Sequence, residues 1–122
     1  MQRLTALEIL NETCAAYTLD TRAREGYACR FETSDGKRCA VGRCMLPGIA
    51  KARDHKTTFY DWDSDAALDA DLCEQYRGYP LAFWRRLQLL HDNSYHWDSE
   101  GLSPQGEECR DGIAEWISEN GL

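Results

Sequence analysis

The chain has 122 residues, with 21 acidic against 14 basic side chains and a formal net charge of −7 at pH 7. That length suits a single domain over residues 1–122 with one core, and no apolar run approaches the ~20 residues of a membrane helix. The acidic balance argues against broad nucleic-acid binding, which rests on neutralising phosphates, and favours attraction to basic partners.

Charge is unevenly spread. Residues 22–56 hold nine Lys/Arg against four Asp/Glu, 61–74 hold six acids and no base, and 98–119 hold seven acids and one base. The first ten residues, MQRLTALEIL, lack the apolar core of a secretory leader, so a cytoplasmic location is expected. The six cysteines are then expected as free thiols, and no C-x-x-C pair marks a common zinc or redox site.

Thr5 and Glu8 have the spacing of a capping box, with Leu4 and Ile9 placed as a hydrophobic staple. Leu7, Leu10, Cys14 and Tyr17 recur at helical spacing, predicting a helix over 5–18. Residues 20–26 read as a loop. Two alternating runs then flank Ser34-Asp35-Gly36, a hairpin signal. A three-residue loop pairs Phe31 with Cys39, Cys29 with Val41 and Glu32 with Arg38, placing Gly36 where a left-handed residue is needed. A one-residue slip would exchange the faces, which favours this register. It makes Cys29 and Cys39 diagonal neighbours on one face, better suited to burial or a metal than to a disulfide.

Pro47-Gly48 punctuates the chain. A short basic helix over 49–56 is expected, with His55 on the surface, and 57–60 reads as an extended third strand. Asp61, Asp63 and Asp65 resemble the start of a calcium loop, but Ala66 and Leu72 stand where its glycine and glutamate belong. The better reading is a helix capped at Ser64 with acids in its first turn, an apolar side of Leu68, Leu72, Cys73 and Tyr76, and a stop at Gly78. A central helix over 80–91 follows, burying Phe83, Trp84, Leu87, Leu90 and His91, with Arg85 and Arg86 outside. Residues 93–102 form an aromatic loop. Ser103-Pro104 starts the last helix, with Cys109, Ile113, Trp116 and Ile117 inward, Gly112 permitting close packing, and a glycine stop at Gly121. The expected fold is α+β: an antiparallel hairpin or sheet of two or three strands packed with four or five helices around a single core.

Three stretches also form a pattern. Cys29-Arg30-Phe31, Lys37 to Gly42 and Leu87 to Asp92 resemble a widespread group of small, mostly uncharacterised phage and prophage proteins. These carry similar C-R-Y, K-C-A-V-G-C-L-I and L-Q-x-I-H-D segments on chains of similar length. Here an additional Arg43 separates Gly42 from Cys44. The resemblance implies a phage or mobile-element origin. Because small phage accessory proteins often bind host machinery, it raises an anti-defence or inhibitor role.

Three functional readings follow. In the first, no cofactor is needed: the chain blocks a basic surface on a host or defence-system protein, using Asp61, Asp63, Asp65, Asp69, Asp71 and Glu74 with an exposed Trp62 as aromatic anchor. In the second, a thiol enzyme uses Cys39 or Cys44 as nucleophile, His91 as base and Asp92 or Asp98 as orienting group. Adjacent side chains diverge on a helix, which counts against a His91–Asp92 pair. In the third, zinc stabilises an interaction module through Cys29, Cys39, Cys44 and His91 or His96.

Overall fold

Thr5 begins the first helix as its spacing to Glu8 requires: the Thr5 hydroxyl accepts from the Glu8 amide at 3.1 Å, and the Glu8 carboxylate accepts from the Thr5 amide at 3.0 Å. The computed structural model describes residues 2–25, 28–29, 32–52 and 62–122. Expectations for Phe31, His55, residues 57–60 and Asp61 lie outside the described residues, as does the side chain of Cys29.

Helix α1 (Ala6–Ala15) buries Ala6, Ile9, Leu10 and Thr13. Its inner face is therefore rotated from the expected stripe, and Leu7 is 48% exposed. Thr13 tolerates burial because its hydroxyl donates to the Ile9 carbonyl at 2.8 Å. Tyr17 reaches the core from beyond the helix end.

The hairpin differs from its expected form in one half. Strand β1 (Arg24–Glu25) pairs antiparallel with β2 (Ala28–Cys29), setting Arg24 opposite Cys29, so part of the expected 20–26 loop is strand. Cys29 thus pairs backward, not with Val41. The turn stands as expected: Glu32 bridges Arg38, the Thr33 amide donates to the Lys37 carbonyl at 2.8 Å, and Gly36 has φ of 86°. After Cys39 the chain leaves the ladder. The Gly42 amide donates to the Cys39 sulfur at 3.3 Å and the Arg43 amide to the Cys39 carbonyl at 2.9 Å. These bonds close a tight turn that runs into a single 3₁₀ turn over Gly42–Cys44, drawing Val41 away from strand geometry.

Helix α2 (Ile49–Ala52) follows Pro47-Gly48. Helix α3 (Asp65–Asp69) is capped by Ser64, whose hydroxyl accepts from the Ala67 amide at 3.1 Å. It stops well before Tyr76, because Leu72 is taken into a bridge with Met45: the Leu46 amide reaches the Asp71 carbonyl and the Cys73 amide the Cys44 carbonyl, both at 2.9 Å. A second 3₁₀ turn covers Glu74–Tyr76. Helix α4 (Leu81–Asp92) buries Phe83, Trp84, Leu87, Gln88, Leu90 and His91. The expected aromatic loop contains a small hairpin instead, β3 (Trp97–Asp98) against β4 (Gly101–Leu102). Helix α5 (Pro104–Glu119), capped by Ser103, packs on α1 and α4.

The fold is α+β, with a single hydrophobic cluster running from Ala6 to Ile117 and α4 at its centre. Each large apolar side chain buried there contributes roughly 1.5–3 kcal/mol. Among the described residues no helix is long and apolar enough to cross a membrane.

Close packing on α5 falls at Gly106, not at Gly112. A Cβ at position 106 would lie 2.9 Å from the His96 carbonyl carbon and closer still to its oxygen, whereas one at 112 meets nothing within 4 Å. Gly106→Ala should therefore destabilise by about 1–3 kcal/mol. Gly112→Ala should stabilise by roughly 0.5–1 kcal/mol through helix propensity. Thermal unfolding followed by circular dichroism checks both signs.

Candidate functional site

Helical spacing sets Gln88, His91 and Asp92 on one side of the carboxyl end of α4. The 39–42 turn lies against them, with the Val41 amide donating to Gln88 Oε1 at 3.4 Å. Gln88 Nε2 donates to Asp92 Oδ1 at 2.9 Å, and His91 Nδ1 lies 2.8 Å from the same oxygen. On the far side of the ring, Nε2 accepts from the Ala23 amide at 3.1 Å, which places the imidazole hydrogen on Nδ1. Tyr17 meets the His91 ring edge-on, centroids 4.8 Å apart, and its hydroxyl donates to the Arg38 carbonyl at 2.7 Å. The 39–42 turn and the carboxyl end of α4 thus meet in space.

Arg22, only 3% exposed, extends this cluster. Its Nη1 donates to the His91 and Asp92 carbonyls, both at 3.1 Å, and its Nε to the Leu19 carbonyl at 3.3 Å. Arg43, the residue additional to the pattern, also has a structural role. It pairs with Glu12 at 2.8 Å and donates to the Thr13 hydroxyl at 3.2 Å, while Tyr76 donates to the same Glu12 oxygen at 2.9 Å. These contacts fasten the 3₁₀ turn at 42–44 to α1.

The His91–Asp92 pair, expected to diverge, therefore forms, because the aspartate closes the helix end where its side chain turns back toward the ring. Its setting is unlike a catalytic dyad. Neither ring nitrogen is open to a thiol, since one faces Asp92 and the other the Ala23 amide. Cys39 and Cys44 have no exposed surface. Burial pushes the Cys39 thiol up to about 12, with the Gly42 amide partly offsetting the rise and the Asp92 carboxylate adding to it. Burial likewise raises Cys44 to about 12, Arg43 opposing it. A nucleophilic thiol needs the reverse, an exposed and electropositive setting. His96 is engaged as well, its Nδ1 lying 2.9 Å from the Leu90 carbonyl. Among the described residues no group of three or more His, Cys, Asp or Glu is placed to hold a metal.

The acids of 61–74 divide. Asp65 Oδ1 accepts from the Leu81 amide at 2.8 Å, serving the start of α4 where Pro80 offers no side-chain cap. Asp69 accepts from the Gly78 amide through both oxygens, at 3.1 and 3.2 Å. Asp71 accepts from the Trp62 indole at 2.8 Å, and Trp62 is 2% exposed, so the expected exposed anchor is a core residue. Its indole is buried because Asp71 satisfies its N–H. Asp63 and Glu74 are exposed, as is Asp65 despite its bond to the Leu81 amide.

A second acidic surface had its charge visible in the sequence but not its shape. An open groove of about 780 Å³ between α1 and α5 is lined by Asp98, Glu100 and Glu107, with Arg110 on one side. On α5, Glu108, Asp111, Glu115 and Glu119 are also exposed, and Arg110 pairs with Asp111 at 3.0 Å. The count of seven acids over 98–119 was the available signal; the β3–β4 hairpin that turns Asp98 and Glu100 into the groove was not legible. Compared with protein-family models, curated proteins and solved structures, the chain finds no match.

His91→Ala removes a ring that satisfies two groups and should cost about 2–4 kcal/mol, measured by urea unfolding. The raised thiols carry a pH sign. Above about 9 the unfolded chain loses thiol protons that the folded protein keeps, so stability should fall as pH rises from about 9 towards about 12. Urea midpoints at pH 8, 9 and 10 should decline less steeply in the Cys39→Ala, Cys44→Ala variant.

Proposed function

We propose that this chain is a small acidic interaction protein that binds and blocks a basic surface on a partner protein. The resemblance to phage and prophage proteins makes a host or defence-system protein the natural partner class, met in the host cytoplasm. The observation that carries the reading is the α1–α5 groove. Asp98, Glu100 and Glu107 line it without an ion pair among the described residues. Carboxylates so placed steer a basic segment and fix its register more than they supply raw affinity. The main alternative, a thiol enzyme on Cys39 and His91, is disfavoured by the burial of the thiols and the engagement of both ring nitrogens.

The internal duties of Asp65, Asp69 and Asp71 move the expected contact surface. These acids cap and brace α3 and α4, so the groove acids, with Asp63 and Glu74 beside α3, are the better carriers. Asp98→Asn, Glu100→Gln and Glu107→Gln together should leave the circular dichroism spectrum unchanged. They should weaken a partner isolated from bacterial lysate by roughly tenfold at low salt. Surface plasmon resonance across a salt series reads this. Binding that is indifferent both to the substitutions and to salt would refute the proposal.

A further inference from the structure

On the opposite electrostatic footing, a small pocket of about 330 Å³ is lined by Leu19, Asp20, Arg22, Arg24 and Ser94. It lies at the start of the basic stretch of this acidic chain. Two guanidinium groups converge on one hydroxyl: Arg22 Nη2 donates to Ser94 Oγ at 3.2 Å and Arg24 Nη1 donates to it at 2.7 Å. Ser94 Oγ accepts both bonds, so its own hydrogen must point away from both arginines, and it meets no acceptor among the described residues. Arg24 is exposed, and this is the one hydrogen bond of its guanidinium among the described residues, leaving four further guanidinium N–H donors. A third cation stands close by, with Lys37 Nζ donating to the Asp20 carbonyl at 3.0 Å.

We infer that this pocket binds a phosphate group, either free or as a small monoester. The hydroxyl hydrogen and the remaining Arg24 donors call for an acceptor-only ligand with several oxygens, and a tetrahedral dianion supplies it. Arg22 brings rigidity. Its guanidinium is anchored to the carbonyls of residues 19, 91 and 92, so the site is preorganised around it. The volume lies at the small end for ligand pockets, which fits a phosphate or a compact ester and not a large nucleotide. The Asp20 carboxylate on the rim opposes an anion and sets a built-in limit on affinity. Polarity separates this site from the acidic groove, so either can fail without the other.

The test is isothermal titration of the whole chain, at constant ionic strength set with chloride, using inorganic phosphate in one arm and O-phosphoserine in the other. Saturable binding of phosphate alone identifies a free-phosphate site; saturable binding of both identifies a monoester site. In either case Arg24→Met, at an exposed position, should weaken binding at least about tenfold, and Arg24→Lys should recover part of the loss. Asp20→Asn, which removes the rim's like charge, should tighten it. No saturable heat in either arm, or equal binding by wild type and Arg24→Met, would overturn the inference.

Discussion

The last carbonyls of a helix have no donors within it, and at the buried end of α4 they must find them elsewhere. Leu90 takes two, the Trp97 indole at 3.0 Å and His96 Nδ1 at 2.9 Å. His91 and Asp92 share Arg22. That one requirement draws two pieces of chain to a single point: the distant loop at 22–23 and the stretch at 94–97 that follows the helix directly. The His91 ring completes the lock by accepting from Ala23 on one face and donating to Asp92 on the other. Because every donor there is a side chain or amide from another element, the helix end cannot form in isolation. Secondary and tertiary structure are coupled at this point.

The same logic decides which charges remain for binding. An aspartate near an unsatisfied amide becomes a cap, as Asp65 does for Leu81 and Asp69 for Gly78. An aspartate on a hairpin rim, such as Asp98 in the groove, keeps one oxygen for the Glu100 amide at 2.9 Å and faces solvent with the other. Residue type alone does not separate these roles; the neighbouring backbone does. The chain thus presents acid along α5 and the β3–β4 rim, and a donor-rich notch where Arg24 meets Ser94.

Much of the fold was legible in the sequence because it rests on local chemistry. Caps at Thr5, Ser64 and Ser103, the three-residue turn with its left-handed Gly36, and the buried set on α4 all follow from side chains within a few residues of one another. What escaped reading depends on distant partners. Cys29 pairs backward with Arg24 because the turn at 39–42 is closed by a sulfur acceptor. Helix α3 ends early because Met45 claims Leu72. Trp62 is buried because Asp71 lies within reach of its indole. For the candidate site, the acidic balance over 98–119 was plain, but its concentration into a groove required a hairpin that no strand pattern announced. The meeting of His91 with Asp92 was discounted on helical geometry that holds in mid-helix and relaxes at an end.

Gly106 bears on how such a chain can drift. The His96 carbonyl occupies the space a side chain would need there, while the Ser103 hydroxyl that receives the Gly106 amide donates to the Tyr95 carbonyl. Acids on the outer face of α5 can be exchanged one for another without moving the backbone. Position 106 cannot, so long as the helix crosses the 94–96 turn as it does here. A glycine three residues into a Ser-Pro helix start, preceded by an aromatic hairpin, is therefore a better mark of descent for this architecture than its net charge.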